Sequence, residues 1–240
     1  MNKQVDREWA NRLYLMLSGI FIASLVSSNL IFQKFFIWKP FESLVSFFPF
    51  LSGYAFELSV GILPYPITFL VTDIISEIYG RKKANQVVFS GFIASMFIMA
   101  VVTIGDMAPA TDWSPVDDGT FHRVFGLFGP AVFASMSAYL LAQFIDIRMF
   151  HYWKQLTQGK HLWLRNNGST IFSQLIDTCS VIMLLCFFGV LEWSRFWPLF
   201  MNGFLFKVMI AAIDTPLFYL FSHLLRKSFD LKLGEELKSS

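Results

Sequence analysis

Long runs without a charge restrict a chain to few folds, and this one has three, at residues 13–33, 84–105 and 124–145. A helix that crosses a bilayer needs roughly 20 mostly apolar residues, and hydrocarbon admits only backbones that satisfy their own hydrogen bonds. Three further apolar runs qualify if each tolerates internal charge: 43–72 with Glu57, 166–191 with Asp177, and 196–225 with Lys207 and Asp214. The reading is therefore an all-α integral membrane protein, one transmembrane domain over residues 1–240. Its six spans fall near 13–33, 59–79, 84–105, 124–146, 169–191 and 199–224. Only 15% of residues are charged, against about 25% in soluble domains. Residues 43–56 are extra apolar sequence ahead of the second span, read as an interfacial or re-entrant piece of open role. The polar stretches 106–123 and 149–167 read as loops.

Charge orients the chain. Lys and Arg on the side of both termini number fourteen, from the N-terminal tail, residues 81–83, residues 148–165 and the C-terminal tail; the opposite side has four. By the positive-inside rule both termini are cytoplasmic. The same topology accounts for the basic residues, so the net charge of +2 points to no nucleic-acid partner. Cys179 and Cys186 lie seven apart in one apolar run and read as small buried residues. The four histidines lack metal-ligand spacing, so no metal and no cofactor is expected. The first apolar run has no cleavage site after it and reads as a retained span. Gly19-Ala23-Ser27 and Gly91-Ser95 are small-residue faces suited to helix contacts.

The segment from Pro64 to Lys83 carries the chemistry. It opens on Pro64 and Pro66, holds Asp73 and Glu77 one turn apart on one helix face, and ends on Arg81-Lys82-Lys83. This is a proline-interrupted second span with a defined cytoplasmic end. Acids at membrane depth cost roughly 2.5–3.5 kcal/mol each at a helix centre, so they read as functional. Asp146, Asp177, Lys207 and Asp214 share that status, and Glu57 lies nearer an interface. Other readings stay open. Glu77 is four residues from Arg81, a pair at the cytoplasmic surface; Asp146 is two from Arg148; Asp214 precedes Pro216 and could satisfy backbone groups freed by a kink. Asn29, in a polar patch closing the first span, suits either helix packing or a substrate. An intramembrane enzyme is disfavoured, because no nucleophile is paired with a base.

Five ordered blocks carry a likeness to a known family: Ser28-Asn29; Pro66 through Gly80; Ala134-Ser135 to Gln143 and Asp146; Trp163-Leu164-Arg165 with Ser169-Thr170 and Gln174 to Thr178; and Phe206-Lys207 with Asp214-Thr215-Pro216 and Tyr219. From about Ser28 to Tyr219 the chain resembles the queuosine precursor transporters, the VUT family. Tyr65 departs from the pattern, standing where many relatives have Phe. The resemblance implies an importer of 7-deazaguanines (preQ0, preQ1 or queuine) in the bacterial cytoplasmic membrane, for salvage into tRNA queuosine. Its partners would be that small molecule and the lipid bilayer, with homo-oligomerisation left open. The alternative is a binding subunit of an energy-coupling-factor importer. On this reading Asp177 or Glu77 takes the guanine-like edge, Asn29 and Gln174 are amide partners, and Asp73 pairs with Lys207. Asp146, Asp214 and Arg165 have structural or coupling roles.

Overall fold

The computed structural model describes residues 3–39, 55–126, 130–158, 160–232 and 234–237. Helix α1 (Lys3–Ile31) leads into a two-stranded antiparallel ribbon, β1 (Phe35–Trp38) and β2 (Phe56–Ser59). A 3-10 turn (Val60–Ile62) and α2 (Tyr65–Ile78) follow, then α3 (Arg81–Met107), the short α4 (Asp118–Phe125), α5 (Pro130–Leu156), α6 (Leu162–Phe187) and α7 (Phe196–Ser228).

α2 is the axis. It packs against α1, α3, α5 and α7, and from Thr68 to Ile78 every residue except Leu70 is buried. The outer helices turn apolar side chains outward instead: Phe89, Ile93, Phe97 and Ile104 on α3, and Ile213, Leu217 and Leu224 on α7 are exposed. Apolar outside with polar groups gathered inside suits a bundle whose solvent is lipid. Among the described residues, five helical stretches are long and apolar enough to cross a membrane: Arg7–Ile31, Val60–Ile78, Arg81–Met107, Leu162–Phe187 and Trp193–Ser228. The span expected at 124–146 corresponds to α5, which has 27 residues. It runs ten residues further and takes in Arg148 and Lys154.

Three expectations need correction. The stretch 149–167 is mostly helix: α5 continues to Leu156 and α6 begins at Leu162, with His161 left-handed at the junction. Arg165, Asn166, Ser169, Thr170 and Ser173 are all buried on α6, so its polar first half faces protein, which a hydropathy reading takes for a loop. The stretch 106–123 holds α4, started by Asp117, which accepts from the Thr120 amide at 2.7 Å. That amide and the Thr120 hydroxyl hold the Asp117 carboxyl below the usual carboxylate range. The third correction is the ribbon. Residues 40–54, most of the apolar piece ahead of the second span, lie outside the described residues, but Phe56–Ser59 is a strand paired with Phe35–Trp38, Phe35 opposite Ser59 and Trp38 opposite Phe56. The Val60 amide extends the ladder to the Lys34 carbonyl at 2.7 Å. Trp38 packs on Phe56 and, edge-on, on Phe206 of α7. Four-residue apolar runs do not announce their period, so helix and strand are indistinguishable there from sequence.

Two glycines set close approaches. Gly80, at φ +82°, is the left-handed link between α2 and α3, a conformation cheap only for glycine. A Cβ on Gly61 would lie 2.6 Å from the Ser28 carbonyl oxygen and 2.9 Å from Phe32 Cα, both backbone and unable to yield. Gly61→Ala is expected to cost about 1–3 kcal/mol by overpacking, read as a lower melting temperature in detergent. Gly19→Ala is the control, because a methyl added there would meet nothing within 4 Å. Equal melting temperatures for the two variants would refute the contact. Of the two small-residue faces, Gly91 meets Phe21 and Leu25 of α1, while Gly19 packs against nothing among the described residues.

Candidate functional site

Polar groups gather at both ends of α2. At the ribbon end a cavity of about 220 Å³ lies among α1, β2, the start of α2, α5, α6 and α7. Its walls are largely apolar and aromatic. Into them project Asp177 from α6 and Lys207 from α7, an ion pair at 2.6 Å with side chains only 2% and 11% exposed. Tyr65, the first residue of α2, donates its hydroxyl to the same Asp177 Oδ2 at 2.5 Å. The Lys207 ammonium sits 4.4 Å from the Tyr65 ring centre and also donates to Thr178 Oγ1 at 3.1 Å. Asp177 Oδ1 is buried and receives no donor among the described residues. Asn29 lines the cavity from α1, its amide 3.4 Å from Ser95 Oγ of α3. Tyr139 of α5 packs on Tyr65 with ring centres 5.2 Å apart. Because the chain breaks at Pro64, α2 starts here, inside the bundle and with no side-chain cap.

At the opposite end Glu77 is fully buried and ringed by cations. Arg165 donates to it twice, at 2.8 and 3.3 Å; Arg226 lies 3.5 Å and Lys154 3.7 Å away. Lys154 also donates to Glu236 at 2.9 Å. The Leu237 amide bonds the Ile78 carbonyl at 2.8 Å, so residues 234–237 lie over this end of α2. Between the two ends sit Asp73 of α2 and Asp146 of α5, 1% and 0% exposed, where Thr72 of α2 meets Gln143 of α5 at 3.5 Å. Ser173 of α6 donates to Asp146 Oδ1 at 3.0 Å. Gln143, one turn along α5, donates to the Tyr139 hydroxyl at 2.7 Å.

Of the residues expected to meet a substrate, Asn29, Asp177 and Lys207 line one cavity, while Asp73, Glu77 and Gln174 do not. The expected pairing of Asp73 with Lys207 is wrong. Lys207 is level with Tyr65, and Asp73 is eight residues further along α2, about 12 Å at 1.5 Å per residue, so Asp177 takes the lysine and Asp146 the aspartate. The surface pair of Glu77 with Arg81 is also wrong: Glu77 is covered and bound by Arg165. Gln174 is buried, and its Oε1 accepts nothing among the described residues. Asp214 is half-buried with no hydrogen bond or ion pair among them; near Pro216 it is the Thr215 hydroxyl that bonds a backbone acceptor, the Ala211 carbonyl at 2.8 Å. Residues missed from the sequence are Tyr65 and Tyr139 at the cavity and Lys154, Arg226 and Glu236 around Glu77. The hydroxyl added at Tyr65 was the one available signal. The cations looked like ordinary topology charges.

Comparisons place the chain among known proteins. A family model described as "Putative vitamin uptake transporter" matches residues 59–221. A "Probable queuosine precursor transporter" of Bacillus subtilis is 25% identical over 191 residues, which is 77% of this chain and 81% of the relative. The "Queuosine precursor transporter" of Escherichia coli is 27% identical over 167 residues, 66% of this chain and 69% of the relative. A Haemophilus influenzae protein, also named "Probable queuosine precursor transporter", is 25% identical over 209 residues, 84% and 83% of the two chains. No solved structure matches. The matched relatives are transporters by name, which favours neither an enzyme nor a subunit of an ATP-driven importer.

Proposed function

Because the chain belongs to the vitamin uptake transporter family, we propose that it imports 7-deazaguanine queuosine precursors, preQ0, preQ1 or queuine, across the cytoplasmic membrane. It does so as a single transmembrane domain with both termini inside. The observation that carries the reading is the free Oδ1 of Asp177 in the cavity. A deazaguanine presents an N–H and an amino group side by side, and one carboxylate oxygen has two lone pairs with which to accept from them. Asp177 already has one oxygen held by Tyr65 and Lys207, which fixes its orientation and leaves the other for the ligand. Lys207 can turn toward the O6 acceptor, Asn29 supplies an amide, and Tyr65 and Tyr139 supply flat faces for the bicyclic ring. Entry near the start of an interrupted helix suits alternating access around a site within the bilayer.

Proteoliposomes holding this chain alone test the reading with labelled preQ0, preQ1, queuine, guanine and an unrelated vitamin. At least one deazaguanine is expected to enter far faster than guanine or the vitamin. The same compound at 100 times its Kd is expected to stabilise the purified protein by about 2.7 kcal/mol. Uptake of the vitamin alone would overturn the substrate class, and a strict need for an added ATPase would overturn autonomous transport.

A further inference from the structure

We propose that Asp73 and Asp146 form a proton-binding site, in which two carboxyls share one proton that is loaded and released during each transport cycle. This rests on the transport reading but uses residues outside the substrate cavity. The two side chains are buried and come from different helices; Thr72, beside Asp73, meets Gln143, one turn from Asp146, at 3.5 Å, so the two carboxyls lie at the same level of the bundle, and each weighs on the other's charge. Carboxylate oxygens only accept, so a bond between two carboxyls requires a proton of its own. No donor among the described residues reaches Asp73 Oδ1 or Asp146 Oδ2. The nearby cations are committed: both terminal nitrogens of Arg165 go to Glu77, Lys207 goes to Asp177 and Lys154 to Glu236. Two adjacent buried carboxyls without a cation of their own resist ionising together, so the pair takes up one proton more readily than a free carboxylate does and gives it up only where the surroundings favour release. The charged and titratable groups facing the pair are Glu77 from α2, Tyr139 from α5 and Arg165 from α6.

Position turns this proton site into a coupling device. Asp146, Gln143 and Tyr139 follow one another at helical spacing along α5. Gln143 donates to the Tyr139 hydroxyl at 2.7 Å, Tyr139 lines the cavity, and Thr72, next to Asp73, lies 3.5 Å from Gln143 Oε1. Tyr139 and Gln143 thus form a hydrogen-bonded pair on α5 between the cavity and the level of the two aspartates. On the far side Glu77 and its cations close the bundle. Loading adds one proton to the dianionic pair and leaves a hydrogen-bonded monoanion; unloading returns that proton to water on the other side. Nothing is oxidised or reduced. Proton relays of buried acids are a recurrent use of intramembrane carboxyls.

The test has two arms on the full-length protein. Infrared difference spectra of the reconstituted protein across a pH titration are expected to show a deuterium-sensitive protonated-carboxyl band, absent from both Asp146→Asn and Asp73→Asn. A wild-type protein without such a band, or a band that both variants retain, overturns the proposal. In proteoliposomes with an imposed pH difference, outside acid, the wild type is expected to concentrate preQ0 by up to about tenfold per pH unit, as one proton per substrate allows. Asp146→Asn is expected to keep a melting temperature in detergent close to that of the wild type, which shows that it is folded, and to lose concentration of preQ0. Accumulation driven by sodium and indifferent to pH overturns proton loading. If no deazaguanine is transported, the functional proposal has failed, and the infrared arm still decides the proton site.

Discussion

Arg165→Ala should lower stability by about 3–5 kcal/mol, the usual cost of removing one partner from a buried ion pair. The guanidinium is wholly buried, makes both contacts to a carboxylate that is itself buried, and lies 5.5 Å from the Phe150 ring centre. Removing it leaves Glu77 with only the longer contacts from Arg226 and Lys154. For a chain of this size each kcal/mol is worth about 2–4 °C in Tm, so thermal unfolding in detergent should fall by roughly 10 °C. Arg165→Lys should recover little, because one ammonium cannot replace a planar two-pronged donor. Arg165→Met combined with Glu77→Gln should be more stable than Arg165→Ala alone, since the fully buried carboxylate no longer stays inside without its guanidinium. A drop of under about 2 °C for Arg165→Ala would mean that the pair is not buried as described.

Asp177→Asn should strike transport as well as folding, because it removes the charge that pairs with Lys207 in the cavity. Asn is isosteric and keeps one acceptor for Tyr65, but the charge that holds Lys207 is lost and one oxygen becomes a donor. Hydrogen bonds to charged groups contribute about 1.5–3 kcal/mol, a factor of roughly 10 to 150 in affinity. Uptake of the preferred deazaguanine at low concentration should therefore fall at least about tenfold, and the melting temperature should fall as well, because Lys207 loses its buried partner. Lys207→Met should show the same loss. The double variant should fold as well as either single one and still not transport, because the cavity has lost both polar anchors. Wild-type uptake by Asp177→Asn would remove Asp177 from the substrate site.

Much of the architecture could be read from the residues, for reasons tied to particular features. Uncharged runs mark three of the six expected spans, and Pro64 with Arg81-Lys82-Lys83 bounds the central helix. Asp177 and Lys207 stood out because charge at membrane depth is costly. Which charge meets which was not legible, since Glu77 and Arg165 are 88 residues apart and Asp177 and Lys207 are 30 apart. Such pairs are settled by how helices pack, which no local period encodes. The same limit hid the first half of α6, whose polar residues face other helices rather than water. It also hid the ribbon, whose four-residue strands are too short to show alternation.

The 88 residues between Glu77 and Arg165 also set an order of events during synthesis. α2 leaves the ribosome with Asp73 and Glu77 long before α5 brings Asp146 and Lys154, α6 brings Arg165, and α7 brings Arg226. Until then its acids have no tertiary partner, and a lone carboxylate in hydrocarbon is disfavoured. The nascent α2 must wait with these groups neutral, or held at the bilayer surface or inside the insertion machinery. The helix at the centre of the finished bundle is thus among the last to become energetically comfortable, and the C-terminal third of the chain completes its insertion.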